Sequence, residues 1–237
     1  MGFLDALLGR SKPKRPDLDQ LFALPSAAVT LQAGAAFVPT GMGAVCFASV
    51  EGGAFAQLQR DVRALLDADT ERGGIPVEFG QDSYGYTWLT ARHAPDETAD
   101  LVNDLHAVNT LLAEGGFGPQ LLCSTVTFRE SADGTESVDG TESADGGGSA
   151  DGGGSADGGG SADGAEGGTG AVTGAPRPLA LIYLYKRGTF YPFAPLPGAA
   201  EKRDNGLELQ VRALLANDLP LEKDLSRWFP VWSAPGL

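Results

Sequence analysis

The sequence predicts an α+β protein, with a mostly antiparallel sheet, helices largely on one face and a single core interrupted by a disordered acidic insert. The first observation is the order of elements, in which strands come in pairs or threes before each helix. A parallel sheet would need a helix between successive strands. The second observation is a repetitive Gly-, Ser- and Asp-rich tract at residues 130–175.

The first third of the chain contains two predicted helices and two predicted strands. A short helix is expected at 17–24, after Pro16, and a short strand at the β-branched run 28–31. A second strand is expected at 43–50, with glycines near both ends. Apolar residues at helical spacing then predict a helix at 54–68.

The middle of the chain repeats this arrangement. Alternating patterns at 76–80 and 85–90 predict a hairpin. A helix is expected from about 96 to 114, ended by the glycine pair 115–116, because glycine readily adopts the left-handed conformation of a helix C-terminus. A run of β-formers at 121–128 predicts the next strand.

The C-terminal part is predicted to complete the sheet. The most apolar strand is expected at 178–185, and a turn leads from it into a strand at 189–193. Pro192 places that second strand at an edge, because proline cannot donate to a strand ladder. A helix at 207–215 and a tryptophan-rich tail at 221–232 are expected to pack on the sheet.

The acidity of the chain belongs to the insert. Residues 130–165 form six tandem hexads such as ESADGT and GSADGG, and residues 130–175 hold ten acidic side chains. Without those ten charges the net charge of −14 becomes −4. Such a composition buries too little apolar surface to offset chain entropy. The predicted organisation is a segment 1–16, one domain from 17–129 and 176–237, and the disordered insert 130–175.

Composition also limits the function classes and the location. A folded part with a small negative charge disfavours nucleic acid, whose binding rests on basic side chains. The sequence contains no apolar run of bilayer-spanning length and no secretory signal, which predicts a cytoplasmic protein. Two cysteines in apolar runs, Cys46 and Cys123, are expected to be reduced and buried.

Catalytic machinery is not visible in the sequence, which predicts a protein that is not an enzyme and has no metal or cofactor. The two histidines, His93 and His106, have neither zinc-ligand spacing nor a nucleophile beside them. An alternative is a carboxylate-dependent enzyme of unrecognised type that uses Asp82, Glu78 and Asp104. A second alternative is a small-molecule-sensing module with an aromatic pocket around Trp88 and Tyr86.

Protein binding is the predicted mode of action, because aromatic and basic residues cluster in the last predicted hairpin. The opening of the chain adds apolar residues ahead of four basic ones, a pattern typical of weak peripheral contact with the inner face of a membrane, or with a partner helix, through residues 1–15. An alternative is that this segment is frayed or covers the core. An alternative is that the tail tryptophans cover the hairpin rings. The candidate partner-binding residues are Phe3, Leu7, Tyr185, Lys186, Arg187, Phe190, Tyr191, Trp228 and Trp232.

Several stretches together resemble one protein family. They are MGFLDALLGR at 1–10, DLDQLFALPSAA at 17–28, YGYTW at 84–88, VNDLHAVN at 102–109, the hairpin 183–195, RDN at 203–205 and LSRWFP at 225–230. These stretches are similar to the PspA-associated protein PspAB family. The resemblance implies a role in the phage-shock-type envelope stress response, beside PspA-like coiled-coil proteins and an HtpX-type membrane protease. It covers nearly the whole chain except the insert and implies no catalytic residues.

Overall fold

The structure of the chain is a computed structural model that describes residues 16–49, 52–67, 75–131 and 175–237. The candidates Phe3 and Leu7 lie outside these residues, as does nearly all of the predicted insert. The contact through residues 1–15 and the disorder of the insert therefore remain predictions from the sequence.

Within the described residues, six strands form one antiparallel sheet in the order β2-β3-β1-β4-β5-β6, which confirms the predicted fold class. The edge position of β6 confirms the interpretation of Pro192. The strands are β1 Phe37–Ala48, β2 Glu78–Gln81, β3 Tyr86–Arg92, β4 Leu121–Glu130, β5 Pro178–Leu184 and β6 Thr189–Phe193.

Four helices of the described residues cover one side of this sheet, called the helix face below. Each helix contributes buried apolar side chains to one cluster with the sheet residues that point the same way, as expected for amphipathic helices. Gly116, with φ 86°, follows the third helix in the left-handed conformation that the glycine pair predicts. The helices are α1 Leu24–Ala35, α2 Gly53–Asp67, α3 Thr98–Leu112 and α4 Asn205–Leu214.

The predicted strand at 28–31 is wrong, because these residues belong to α1. Pro25 lies in the first turn of this helix, where proline is tolerated, and therefore begins a helix rather than ending one. The buried side of α1 is Leu24, Ala27, Ala28 and Leu31. Two of these four side chains are alanines, which mark the buried side of a helix only weakly. The β-branched pair at positions 29–30 was therefore the stronger local signal, and it suggested a strand.

Strand β1 begins six residues before the predicted start at 43. Its pairing with β4 shifts register between Pro39 and Gly43, and this irregularity accommodates a proline and glycines that argue against a strand. Gly41 has φ 75°, and a Cβ there would lie 2.1 Å from the carbonyl oxygen of His93. Only glycine fits that close approach.

Strands β4 and β5 flank the insert and pair with each other as antiparallel neighbours. Their ends are joined by Arg177, whose Nε and Nη2 donate to the two carboxylate oxygens of Glu130 at 2.9 and 2.7 Å. This two-point pair holds the strand ends together at the base of the long connection. Strand β4 therefore includes Glu130, two residues beyond its predicted end.

The other side of the sheet, called the tail face below, is covered by the irregular C-terminal tail, residues 221–237. Its core includes Cys46, Trp88, Tyr191 and Phe193 from the sheet and Trp228 from the tail. The predicted packing of the tail is confirmed. No helix within residues 16–49, 52–67, 75–131 and 175–237 combines the length and apolar character needed to cross a membrane.

Candidate functional site

A cavity of about 780 Å³ lies between the tail face and the tail. Its floor is a row of residues that pair across neighbouring strands, from Trp88 on β3 through Cys46 on β1 and Cys123 on β4 to Leu184 on β5. The rest of the lining comes from three further strand residues, two strand turns, one loop residue and the tail: Tyr86, Leu122, Tyr191, Asp82, Tyr84, Lys186, Arg187, Glu201, Arg227, Phe229, Pro230, Val231, Trp232 and Ser233.

The tail that roofs the cavity is fixed by hydrogen bonds from side chains to its backbone. The Tyr191 hydroxyl donates to the carbonyl of Phe229 at 2.8 Å, and Arg203 Nη1 donates to the carbonyl of Trp228 at 2.8 Å. The rings of Tyr191 and Trp228 stack at 5.9 Å, and those of Phe193 and Trp232 pack edge to face at 5.0 Å. These contacts position the roof over the sheet.

Glu222 joins the roof to the turn between β5 and β6. Its carboxylate accepts hydrogen bonds from Arg187 Nε at 3.1 Å and Thr189 Oγ1 at 3.2 Å, and Arg227 Nη1 lies 3.7 Å away. Burial by itself would raise the pKa of Glu222. Hydrogen bonds from the Asp224 backbone, Arg187 and Thr189 outweigh burial and hold that pKa below its usual value.

Asp82 organises the opposite end of the cavity, at the turn between β2 and β3. Its Oδ1 accepts from the backbone N–H groups of Tyr84 and Tyr86, and its Oδ2 accepts from Trp88 Nε1, all at 2.9 Å. The Tyr84 hydroxyl donates to Glu201 at 3.1 Å, and this bond raises the pKa of Tyr84. Both acids at this end are therefore already hydrogen-bonded.

The two cysteines face each other across β1 and β4 at the floor of the cavity, and both are free thiols and buried. The sequence-based prediction of two buried, reduced thiols is thus confirmed. The hydrogen bond with Cys123 and burial both raise the pKa of Cys46 far above its usual value. The Cys46 thiol therefore stays neutral.

The hairpin candidates separate into buried rings and exposed cations. Tyr185 and Phe190 join the helix-face core, and Tyr191 joins the tail-face core with Trp228. All four rings are buried. The alternative that the tail tryptophans cover the hairpin rings holds for Tyr191, which stacks on Trp228, but not for Tyr185 and Phe190, which the helix face covers. Trp232 is partly buried and packs on Phe193. Lys186 and Arg187, in the turn between β5 and β6, are exposed.

The acidic candidates do not form one cluster. Asp104 lies on α3, where its Oδ2 is 2.8 Å from Nε2 of the buried His93. Glu78 and Asp82 do line a second, smaller cleft of about 300 Å³, the shared cleft that the enzyme alternative requires. The Asp82 oxygens accept the three hydrogen bonds given above, and Glu78 lies 3.7 Å from Arg92 with 63% of its side chain exposed. In the described residues, no group of three or more His, Cys, Asp and Glu could hold a metal ion.

The sequence singled out residues on several sides of the main cavity. The proposed aromatic pocket around Trp88 and Tyr86 matches the wall formed by β3, and four of the partner-binding candidates also line the cavity: Lys186, Arg187, Tyr191 and Trp232. The tail residues 229–231 were missed as a roof, because a short apolar run with neither helical nor strand spacing does not indicate what it covers. The pairing of His93 with Asp104 was also missed, since a loop and a helix turn separate them.

Comparisons with known proteins give one match. A family model described as PspA associated protein B, PspAB, matches residues 1–138 and 170–236. The unmatched stretch, 139–169, lies within the hexad repeats and the glycine-rich sequence that follows them. The search of curated proteins and the search of solved structures each returned no significant match.

Proposed function

The chain belongs to the PspA associated protein B family, and from this premise we propose that it is a non-enzymatic accessory protein of the PspA-linked envelope stress response. It acts by binding a PspA-like coiled-coil protein in the cytoplasm. The observation that carries the proposal is the family match on both sides of the insert. An HtpX-type membrane protease is the second partner to test, and residues 1–15 supply a weak contact with the inner face of the membrane.

The mouth of the cavity supplies the surface for this contact. Tyr84 and Phe229 are exposed large hydrophobic residues there, with exposed fractions of 57% and 58%, and Leu225 is half exposed nearby. Lys186 and Arg187 are exposed in the turn between β5 and β6, at the other end of the cavity from Tyr84. Aromatic residues beside arginine are enriched in protein interfaces, and an exposed apolar patch edged by cations is typical of a binding surface.

The test measures binding of the purified full chain to the purified PspA protein of the same cell, by biolayer interferometry. Phe229→Ala and Lys186→Glu are each expected to weaken binding at least about tenfold, because a few central residues carry most of the binding energy of an interface. The matched controls are on the helix face, namely Phe22→Ala, whose ring is 48% exposed, and Arg60→Glu on α2. Both controls are expected to bind as the parent chain does.

Two outcomes would contradict parts of this proposal. Absence of binding to PspA, together with binding to the HtpX-type protease, would reassign the partner. Equal losses in the mouth variants and the helix-face controls would exclude the cavity mouth as the specific contact. Thermal melting of each variant, measured in parallel, separates loss of binding from loss of fold.

A further inference from the structure

Charged side chains of opposite sign stand at the two ends of the cavity. Lys186, Arg187 and Arg227 line it beside the turn between β5 and β6, whereas Asp82 and Glu201 line it near the turn between β2 and β3. The floor between them is apolar. We propose that this cavity binds an elongated amphipathic small molecule with one acidic head group, whose head lies at the basic end.

The dimensions of the cavity suit such a ligand. A volume of about 780 Å³ lies within the range of roughly 300–1,000 Å³ that small-molecule sites occupy. The floor runs from Trp88 on β3 to Leu184 on β5 across three strand spacings, a length of about 14 Å at the usual spacing of paired strands. A site of this length and volume fits a medium-length aliphatic chain.

The floor offers apolar surface because its main polar atoms already have partners. Trp88 Nε1 donates to Asp82, and the Tyr191 hydroxyl donates to the backbone of Phe229. Cys46 and Cys123 contribute neighbouring thiols, of which Cys46 has a strongly raised pKa and stays neutral. Ring faces, sulfur atoms and Leu184 remain for the ligand, and such surface favours an aliphatic body over a polar one.

The basic end of the cavity has a positive charge that is available to bind the acidic head group of the ligand. Arg187 and Arg227 share the carboxylate of Glu222, at 3.1 and 3.7 Å. Lys186, in contrast, has no ion-pair partner within the part of the chain that the structure describes. An ammonium group binds carboxylate or phosphate as a point charge. At the other end, the acidic side chains of Asp82 and Glu201 disfavour an anion, so the ligand has one preferred orientation.

Lys186 and the cavity mouth also belong to the proposed PspA contact, and a ligand titration without PspA tests the small-molecule site separately. The full chain is titrated with dodecanoate, dodecanol and dodecylammonium below their micelle-forming concentrations, with tryptophan fluorescence and calorimetry as readouts. Trp88 and Trp232 line the cavity and report its filling. Dodecanoate is expected to bind at one site and about tenfold or more tighter than dodecanol, as a charge-assisted contact implies. Dodecylammonium is expected to bind more weakly than either.

Two variants distinguish the head group from the chain. Lys186→Gln is expected to remove the preference for dodecanoate over dodecanol while leaving dodecanol binding unchanged. Leu184→Trp fills the floor and is expected to abolish binding of both, whereas Leu209→Trp, at a half-exposed position of α4, is expected to bind normally. If Leu184→Trp has a lower melting temperature than the parent chain, Val231→Trp, in the roof of the cavity, is used as the cavity-filling variant in its place.

The source of the ligand is tested with one further probe, a lysophosphatidate that bears the same twelve-carbon chain. Tighter binding of the lysophosphatidate assigns the site to a lipid head group, and tighter binding of dodecanoate assigns it to a free fatty acid. Equal affinities for dodecanoate and dodecylammonium overturn the inference, as does unchanged binding in a well-folded cavity-filling variant.

Discussion

The two faces of the sheet are covered in different ways. On the helix face, α1 to α4 and the sheet form one continuous apolar cluster. On the tail face, an irregular segment lies over a smaller cluster and leaves the cavity beside it. A helix satisfies its own backbone hydrogen bonds, whereas an irregular segment must find partners for each buried carbonyl.

Those partners explain why the cavity lies where it does. The carbonyls of Trp228 and Phe229 receive hydrogen bonds from Arg203 and Tyr191, and the carbonyl of Glu222 receives one from Trp228 Nε1 at 3.2 Å. The tail is therefore held at a few polar points rather than along a continuous apolar surface. We infer that this kind of cover provides a binding site, while the helix face provides stability.

The largest expected effect tests the helix face. Leu105 on α3 is fully buried, and Leu105→Ala should lower the free energy of unfolding by about 2–5 kcal/mol, because it removes packed apolar atoms and leaves a cavity. Chemical denaturation monitored by circular dichroism measures the change. Binding of dodecanoate at a temperature where the variant is folded should remain as in the parent chain. If Leu105→Ala instead lost dodecanoate binding and kept its stability, the helix face would serve binding rather than stability.

A smaller effect is expected from Glu222→Gln on the tail face. The change removes the charge that Arg187 and Thr189 bind, and should cost about 1–3 kcal/mol. Hydrogen exchange should rise first in the tail and β6 rather than in α3. Glu78→Gln, at an exposed ion pair, is the control and should cost no more than about 1 kcal/mol.

The same pair of proteins tests the pKa of Glu222. Because the pKa is lowered in the folded state, the carboxylate stabilises the fold above its ordinary pKa, and that stabilisation is lost as the pH falls through the folded-state value. The stability difference between parent and Glu222→Gln should therefore shrink between about pH 7 and about pH 3. Glu130 also has a lowered pKa, but it titrates in both proteins and cancels in the difference. A difference that is constant with pH would contradict the assignment.

Local sequence patterns predicted the sheet because each of its strands carries its own signal. One predicted strand, at 28–31, was false, because alanines help to form the buried side of α1 and its two β-branched residues suggested a strand. Glycines and a proline likewise hid the first half of β1. In both cases tertiary packing overrides the local preference of a few residues.

The cavity could be predicted only in part, for a different reason. Its lining comes from segments around residues 46, 82–88, 122–123, 184–191 and 227–233, which are far apart in sequence. The Trp88 and Tyr86 aromatics gave a local signal, whereas the roof depends on donors from β6 and on Arg203. The rings of the aromatic hairpin lie on both faces of the sheet, and which segment covers each of them depends on the whole fold.

The smallest expected effect comes from the connection between β4 and β5. Replacing residues 132–174 by a Gly/Ser linker of about ten residues shortens this connection roughly fourfold, and the lower cost of loop closure should stabilise the fold by about 1 kcal/mol. Thermal and chemical unfolding measure the change. Dodecanoate and PspA binding should be unaffected, because the strand ends remain joined by the two hydrogen bonds between Arg177 and Glu130. A large fall in melting temperature would instead show that the tract packs against one of the two faces. Glu130→Gln, made in both the shortened and the parent chain, then tests the base of the hairpin. If the substitution lowers stability more in the shortened chain than in the parent chain, the tract helps to hold the two strands together.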